Sequence, residues 1–258
     1  MNKKKLVLTF PGQGSQYVGM GTKFVGTPLE KNFFAADKDL GYSISKLMLE
    51  GPEEELNLTK NTQPAILTYS YLCFLQLQEL LKSNSAEIHL VLGHSVGEYC
   101  ALVAAGSISF SDALKAVHLR GTYMQEAVPA GIGSMMAILK AEENLVQEAC
   151  AQAFTSDECQ VSAANFNDPS QIVISGHKEA IQKALAYMSA NAKTPFRSIE
   201  LKVSAPFHSP LMRPAAEKMK KLLQSISINY NKLGYLANID ANLYGPGTGT
   251  SQIVHNLV

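Results

Sequence analysis

Tryptophan is absent from this chain of 258 residues, cysteine is scarce and neither sign of charge prevails. The four cysteines, Cys73, Cys100, Cys150 and Cys159, form no C-x-x-C pair and have no histidine at zinc spacing. That excludes a disulfide scaffold and a zinc ribbon, and it predicts reduced core thiols, no metal site and a cytoplasmic protein. Lysine plus arginine number 22, as do aspartate plus glutamate. With no net field, neither nucleic acid nor a membrane surface is an expected partner. Long apolar runs are also missing. Leu6-Val7-Leu8 follows Lys3-Lys4-Lys5, but the run stops at Pro11-Gly12, too short for the apolar part of a signal peptide. No stretch approaches a membrane span. A hydrophobic content of 46% still gives a sizeable core.

The most informative stretch present is Leu90-Val91-Leu92-Gly93-His94-Ser95-Val96-Gly97-Glu98. An apolar strand runs into a serine between two glycines, and a small-residue helical pattern follows. A nucleophile elbow has this form. The glycines allow a sharp turn and a close approach of strand and helix. Ser95 then sits at a helix N-terminus, where backbone N–H groups favour negative charge. A plain Gly-Ser connector is the alternative.

Around the elbow, strands and helices alternate. Leu6 to Phe10 reads as a buried strand before the turn-rich loop Pro11-Gly12-Gln13-Gly14-Ser15-Gln16. Thr62 and Pro64 open a helix to about Leu81, and Gly106 closes the elbow helix. Ser109 or Ser111 caps a further helix to about Val128. This alternation predicts a parallel sheet covered on both faces. From Gly133 the order becomes strand (135–139), helix (142–154), strands (160–165 and 171–175), helix (178–188) and strand (198–203). That β-α-β-β-α-β order is the ferredoxin-like signature. It predicts a small domain over residues 130–200 inserted into a larger domain formed by 1–129 and 201–258. Ser209-Pro210 then open a helix, Leu236 to Ile239 reads as a strand, and Ile253 to Val258 as a helix.

A serine nucleophile needs a base. The histidines are His89, His94, His118, His177, His208 and His255. In elbow enzymes the base follows the serine, which disfavours the first two. His118, His177 and His255 fall in helical patterns. His208 ends the loop Ser204-Ala205-Pro206-Phe207-His208, between a strand end and a helix, and is either the base or a structural histidine. Arg120 lies on an apolar helix stripe with Val117 and Met124, where it requires a carboxylate, either internal or supplied by a substrate. Between Ser95 and His208 the aspartates are Asp112, Asp157 and Asp168, none at the end of a predicted strand of the large domain. A Ser-His pair oriented by something other than a carboxylate fits a transferase at least as well as an esterase. A serine hydrolase and an interaction domain without chemistry are the rivals.

Taken together, the motifs resemble the malonyl-CoA:acyl carrier protein transacylase family of acyltransferases. They are Phe10 to Gln16, Gly93 to Glu98, Arg120-Gly121 with Met124-Gln125-Glu126-Ala127-Val128-Pro129, Asn165-Phe166-Asn167-Asp168-Pro169, and Ser204 to Met212. The resemblance spans essentially the whole chain. It implies an α/β-hydrolase-like large domain with a ferredoxin-like small one, and transfer of malonyl from malonyl-CoA to the phosphopantetheine thiol of acyl carrier protein for fatty-acid synthesis, a trans-acting acyltransferase of polyketide synthesis being the alternative within the resemblance. No cofactor is implied, and a monomer is expected. Ser95 becomes the acylated nucleophile, His208 its base, and Arg120 the malonyl carboxylate's partner. The backbone amides of Gln13 and Val96 become the oxyanion hole. His94, Met124, Asn165 and Phe207 become candidates for lining the substrate site, with Phe207 of the malonyl-selecting type.

Members of the family continue beyond the position of Val258, and the group orienting the histidine is expected from that continuation. A protein ending at Val258 is expected to fold poorly and to be weakly active. The carrier protein is acidic, which draws attention to Lys218, Lys220, Lys221 and Lys202, although a solvated helix face explains the first three.

Overall fold

The computed structural model describes residues 3–129, 131–157, 159–201, 203 and 205–258. Ala130, Lys202 and Ser204, used in the sequence reading, lie outside the described residues. The chain is mixed α/β and divides into two compact units, one running to Thr122 and resuming at Lys218–Val258, the other Tyr123–Glu217. The divisions fall within two helices, α6 (Phe110–Glu126) and α9 (Arg213–Ser225), rather than at the expected 130 and 200.

The first unit is built on a sheet of β1 (Lys4–Phe10), β2 (Ala86–Gly93), β7 (Gly234–Leu236) and β8 (Leu243–Tyr244) in the order β1-β2-β7-β8. The first three strands are parallel, and β8 is antiparallel to β7. β1 is an edge strand, so only Phe10 of it is buried and Val7 is 54% exposed. The expectation of a buried first strand is corrected on that point. Three short helices before the long one, α1 (Glu30–Leu40), α2 (Ile44–Glu50) and α3 (Glu53–Leu56), have no counterpart in the sequence reading. They bury Phe33, Ile44, Met48 and Leu56.

The long helix α4 runs Thr59–Leu81, so it starts before Thr62 and carries Pro64 inside it. Proline at 64 cannot donate to the carbonyl four residues back, that of Lys60. The His118 ring fills that place, with Nδ1 2.9 Å from the Lys60 carbonyl oxygen. This gives His118 a structural role. The elbow helix α5 (Gly97–Ala104) ends at Gly106, whose φ is +74°. Ser109 caps α6: its hydroxyl accepts the Asp112 N–H at 3.0 Å and bonds the Asp112 carboxylate at 2.7 Å. The chain ends in α10 (Thr250–Leu257).

The second unit has the expected β-α-β-β-α-β order, as β3 (Gly133–Leu139), α7 (Glu143–Ala153), β4 (Val161–Asp168), β5 (Gln171–His177), α8 (Lys178–Asn191) and β6 (Arg197–Glu200). Its strands run antiparallel in the order β4-β5-β3-β6. Between sheet and helices lies an apolar cluster that includes Ile138, Val146, Ile174, Ile181 and Met188. A second cluster joins Met124, Val128, Met135, Val173, Phe207 and Met212. No helix among the described residues is long and apolar enough to cross a membrane. Cys100, Cys150 and Cys159 are buried free thiols and Cys73 is half-buried; burial pushes the Cys150 thiol up to about 11.

Candidate active site

The elbow forms because its glycines are sterically required. A Cβ on Gly93 would stand 2.1 Å from the Gly97 carbonyl. A Cβ on Gly97 would stand 2.4 Å from the Phe10 carbonyl oxygen and 2.7 Å from that of Pro11. Neither neighbour is a flexible side chain, so any larger residue forces the backbone apart. Ser95, between them, has φ +51°, a left-handed conformation that costs a non-glycine residue about 1–3 kcal/mol. Its backbone is held there by bonds on each side. The His94 N–H donates to the Phe10 carbonyl at 3.0 Å, and the Ser95 N–H donates to Asn238 Oδ1 at 3.1 Å.

The loop after β1 lies against this corner. A Cβ on Gly12 would meet the His94 ring at 2.5 Å, which places the exposed imidazole over that glycine. Gly14 takes φ +105°, and Ser15 Oγ closes the turn on the Gly12 carbonyl at 2.8 Å. Gln13 donates from Nε2 to Thr59 Oγ1 at 3.3 Å. Among the described residues, neither the Gln13 nor the Val96 backbone N–H has a hydrogen-bond acceptor.

Arg120 reaches the elbow from α6. Its Nη2 donates to Ser95 Oγ at 3.3 Å and its Nη1 to Gln63 Oε1 at 3.0 Å. The guanidinium lies 5.9 Å from the centre of the Tyr99 ring. Among the described residues no carboxylate forms an ion pair with it. Burial draws its pKa down, while Tyr99 and Glu98 act the other way. Gly121, next in the chain, lets the helix approach α4, since a Cβ there would stand 2.6 Å from the Thr59 carbonyl.

Three residues at this corner were not singled out from sequence: Gln63, Glu98 and Asn238. Glu98 is 3% exposed, and burial pushes its carboxyl up to about 7 against the lowering effect of its Asn238 bonds and of Arg120. Asn238 escaped because the strand was expected to run to Ile239. It stops at Leu236, which leaves Asn238 in the turn beyond a parallel strand's C-terminal end. Leu92 pairs with Leu236, so Ser95 and Asn238 both follow the ends of adjacent parallel strands, where sites of such sheets gather. A polar residue soon after an apolar strand was the available signal. Gln63 belongs to the run Asn61-Thr62-Gln63, all buried.

The remaining candidates belong to the second unit. His208 is exposed and takes φ +56°, which makes it, with Ser95, one of four non-glycine residues with positive φ among those described. Its loop is braced by Ser209, whose hydroxyl donates to the Pro206 carbonyl at 2.7 Å. A short 3-10 turn, Pro210–Met212, then leads into α9. Phe207 and Met124 pack in the same apolar cluster. Asn165 is half-buried at a register shift in β4. Thus Ser95, Val96, Gln13, His94 and Arg120 fall in the first unit, where Ser95 and Arg120 touch. His208, Phe207, Met124 and Asn165 fall in the second.

A hydroxyl on a strained corner, with two uncommitted amides and a guanidinium that has no carboxylate partner among the described residues, suits attack on an acyl group that carries a carboxylate. Comparison with known proteins agrees: the acyl transferase domain family matches residues 7–256. The chain belongs to that family, among the malonyl CoA-acyl carrier protein transacylases. It is 43% identical over 251 residues to the malonyl CoA-acyl carrier protein transacylase of Haemophilus influenzae, covering 95% of this chain and 77% of that one. It is similar to the crystal structure of an acyl-carrier-protein S-malonyltransferase from Burkholderia pseudomallei, with 42% identity, a TM-score of 0.87 and coverage of 98% and 80%. A further match is a type II PKS acyl carrier protein in complex with its malonyl-transacylase, at 40% identity and TM-score 0.88, covering 98% and 79%.

Proposed function

We propose that this protein transfers malonyl from malonyl-CoA to the phosphopantetheine thiol of acyl carrier protein, through a malonyl ester on Ser95, and thereby supplies fatty-acid synthesis. Ser95 Oγ attacks the thioester carbonyl as His208 takes its proton. The carbonyl oxygen becomes an oxyanion, and the amides of Gln13 and Val96 are its donors, each worth roughly 3 kcal/mol. The C–S bond breaks and the proton passes to the departing coenzyme A sulfur. In the second half-reaction the carrier thiol gives its proton to His208 and attacks the same ester; the C–O bond to Ser95 breaks and His208 returns the proton to the departing Ser95 oxygen. The scheme needs no metal or cofactor. His94, Met124, Asn165 and Phe207 are assigned to the lining of the malonyl site.

The observation that carries this reading is the bond from Arg120 to Ser95 Oγ by a guanidinium without a carboxylate partner among the described residues. A planar fork beside the nucleophile is matched to the free carboxylate of a malonyl group. A plain serine esterase has no use for it. The fold reading is correspondingly specific. The parallel unit is assigned as α/β-hydrolase-like, since its serine sits on a strained strand-to-helix turn. The antiparallel unit is assigned as ferredoxin-like from its β-α-β-β-α-β order. The protein is taken to work as a cytoplasmic monomer.

The test is transfer by wild type and by Arg120→Ala, from malonyl-CoA and from acetyl-CoA, to holo acyl carrier protein. Losing a desolvated charge partner costs roughly 2–5 kcal/mol, so malonyl transfer should fall at least about thirtyfold while acetyl transfer changes little. Equal losses for the two acyl groups would make Arg120 structural. Release of free malonate without transfer would favour the hydrolase.

A further inference from the structure

The elbow contains a buried group that acyl transfer does not use. Glu98 lies one turn beyond Ser95, almost wholly buried, and its Oε1 has no hydrogen-bond partner among the described residues. Its Oε2 accepts from the Asn238 side chain at 2.7 Å and from the Asn238 backbone N–H at 3.4 Å. An ionisable group so placed is costly, and its retention calls for a function. The Asn238 amide is fully committed. Nδ2 donates to the Gly93 carbonyl at 2.6 Å as well as to Glu98, and Oδ1 accepts the Ser95 N–H. One side chain, more than 140 residues along the chain, therefore ties the residue two before the nucleophile, the nucleophile itself and the residue three after it.

We infer that Asn238 is a positioning residue for the nucleophile, a bracket that holds the Gly93–Glu98 corner in its strained shape, with the Glu98 carboxylate as the acceptor that orients its amide. Two consequences follow from the geometry. The Ser95 N–H, which would otherwise compete for the oxyanion, is already spent on Asn238, and the next amide along, that of Val96, remains for it. The bracket also offsets the left-handed φ of Ser95, since the corner cannot relax without breaking three bonds at once.

This rests on Ser95 being the nucleophile, and its test is chosen to stand apart from malonyl transfer. A fluorophosphonate probe reacts with an activated serine by forming an Oγ–P bond and expelling fluoride, with the serine proton lost to the base, whatever the natural acyl group. Labelling rate is measured beside kcat and KM for malonyl-CoA. Asn238→Ala is expected to lower the labelling rate and kcat at least about tenfold, with KM within about twofold, because ground-state binding by Arg120 is untouched. Asn238→Asp keeps the acceptor for Ser95 N–H but removes the donor to the Gly93 carbonyl and leaves two acids that can pair only by sharing a proton, so it should be equally slow at a pH where both are ionised. Adding Glu98→Gln to it restores a donor–acceptor pair with the roles exchanged, and should recover at least about fivefold of that loss.

Wild-type labelling by Asn238→Ala would overturn the inference. So would losses from Asn238→Asp and Glu98→Gln that merely add, since general loosening predicts addition. If Asn238→Ala does not fold, the near-isosteric Asp and Asp/Gln pair decides alone. If wild type labels but loads no malonyl, the functional reading fails while the labelling series still decides the role of Asn238.

Discussion

The two units bury different kinds of atoms. In the parallel unit the buried side chains include Asn61, Thr62, Gln63, Thr68 and Glu98, most of them on α4 or at the elbow. In the antiparallel unit the buried polar side chains among those described are the serines Ser134, Ser175 and Ser209, and most of the rest of its interior forms two apolar clusters. An interior of Ile, Val, Ala and Met needs little beyond volume matching to be stable. An interior with amides and a carboxylate must satisfy each one or lose free energy. The first unit therefore carries costs that a scaffold alone would not retain, and two of them, Glu98 at the elbow and Gln63 through Arg120, bear on Ser95.

The contrast can be broken deliberately. The largest effect is expected from Ser95→Ala in the polar unit, which should reduce transfer at least roughly a thousandfold while leaving the melting temperature near that of wild type. Steady-state transfer and a thermal melt check it together. Next comes Gly97→Ala. Its methyl would meet the Phe10 and Pro11 carbonyls, so the corner must shift, and displacement of a nucleophile by about 1 Å costs roughly a hundredfold in rate. Measured kcat/KM on folded protein tests this.

In the aliphatic unit the sign of the outcome changes. Ile174 is fully buried, and Ile174→Ala should cost about 2–5 kcal/mol of stability by the transfer and cavity terms. Transfer per folded molecule should stay near wild type. A denaturant melt beside an active-site titration would show whether stability and rate separate as the contrast demands.

The most gradual of the expected effects is a pH dependence. Burial raises the Glu98 carboxyl to about 7, above its value in the unfolded chain. The folded state then binds that proton more tightly. Its contribution to stability is complete below the unfolded pKa and is lost as pH rises toward about 7, by up to about 3 kcal/mol. Glu98→Gln should flatten the fall in stability between roughly pH 5 and pH 8. An unchanged slope would show that Glu98 does not titrate there.

How much of this was legible in the sequence follows the same division. The antiparallel unit was read almost element by element, because each of its strands and helices carries its own periodicity. The elbow was legible too, since G-x-S-x-G reports a local steric demand. The helices α1 to α3 were missed because they are short and their apolar residues are spaced too irregularly to stand out. α4 was begun late at Thr62 because Pro64 reads as a helix start. In the structure the Lys60 carbonyl, to which Pro64 cannot donate, is met by His118, 58 residues away. The bracing roles of Asn238 and Gln63 were not legible for a related reason. Nothing near them in the chain announces the partners Ser95 and Arg120, which lie 143 and 57 residues distant. Local turn and periodicity chemistry can be read along one dimension, whereas polar bracing across the fold cannot.

The most direct measurement is a mass spectrum of the intact protein and its peptides after incubation with malonyl-CoA alone. A single malonyl adduct on the peptide containing Ser95, discharged when holo acyl carrier protein is added, is the predicted result. A folded protein that gains no adduct, or gains one on a peptide lacking Ser95, would contradict it.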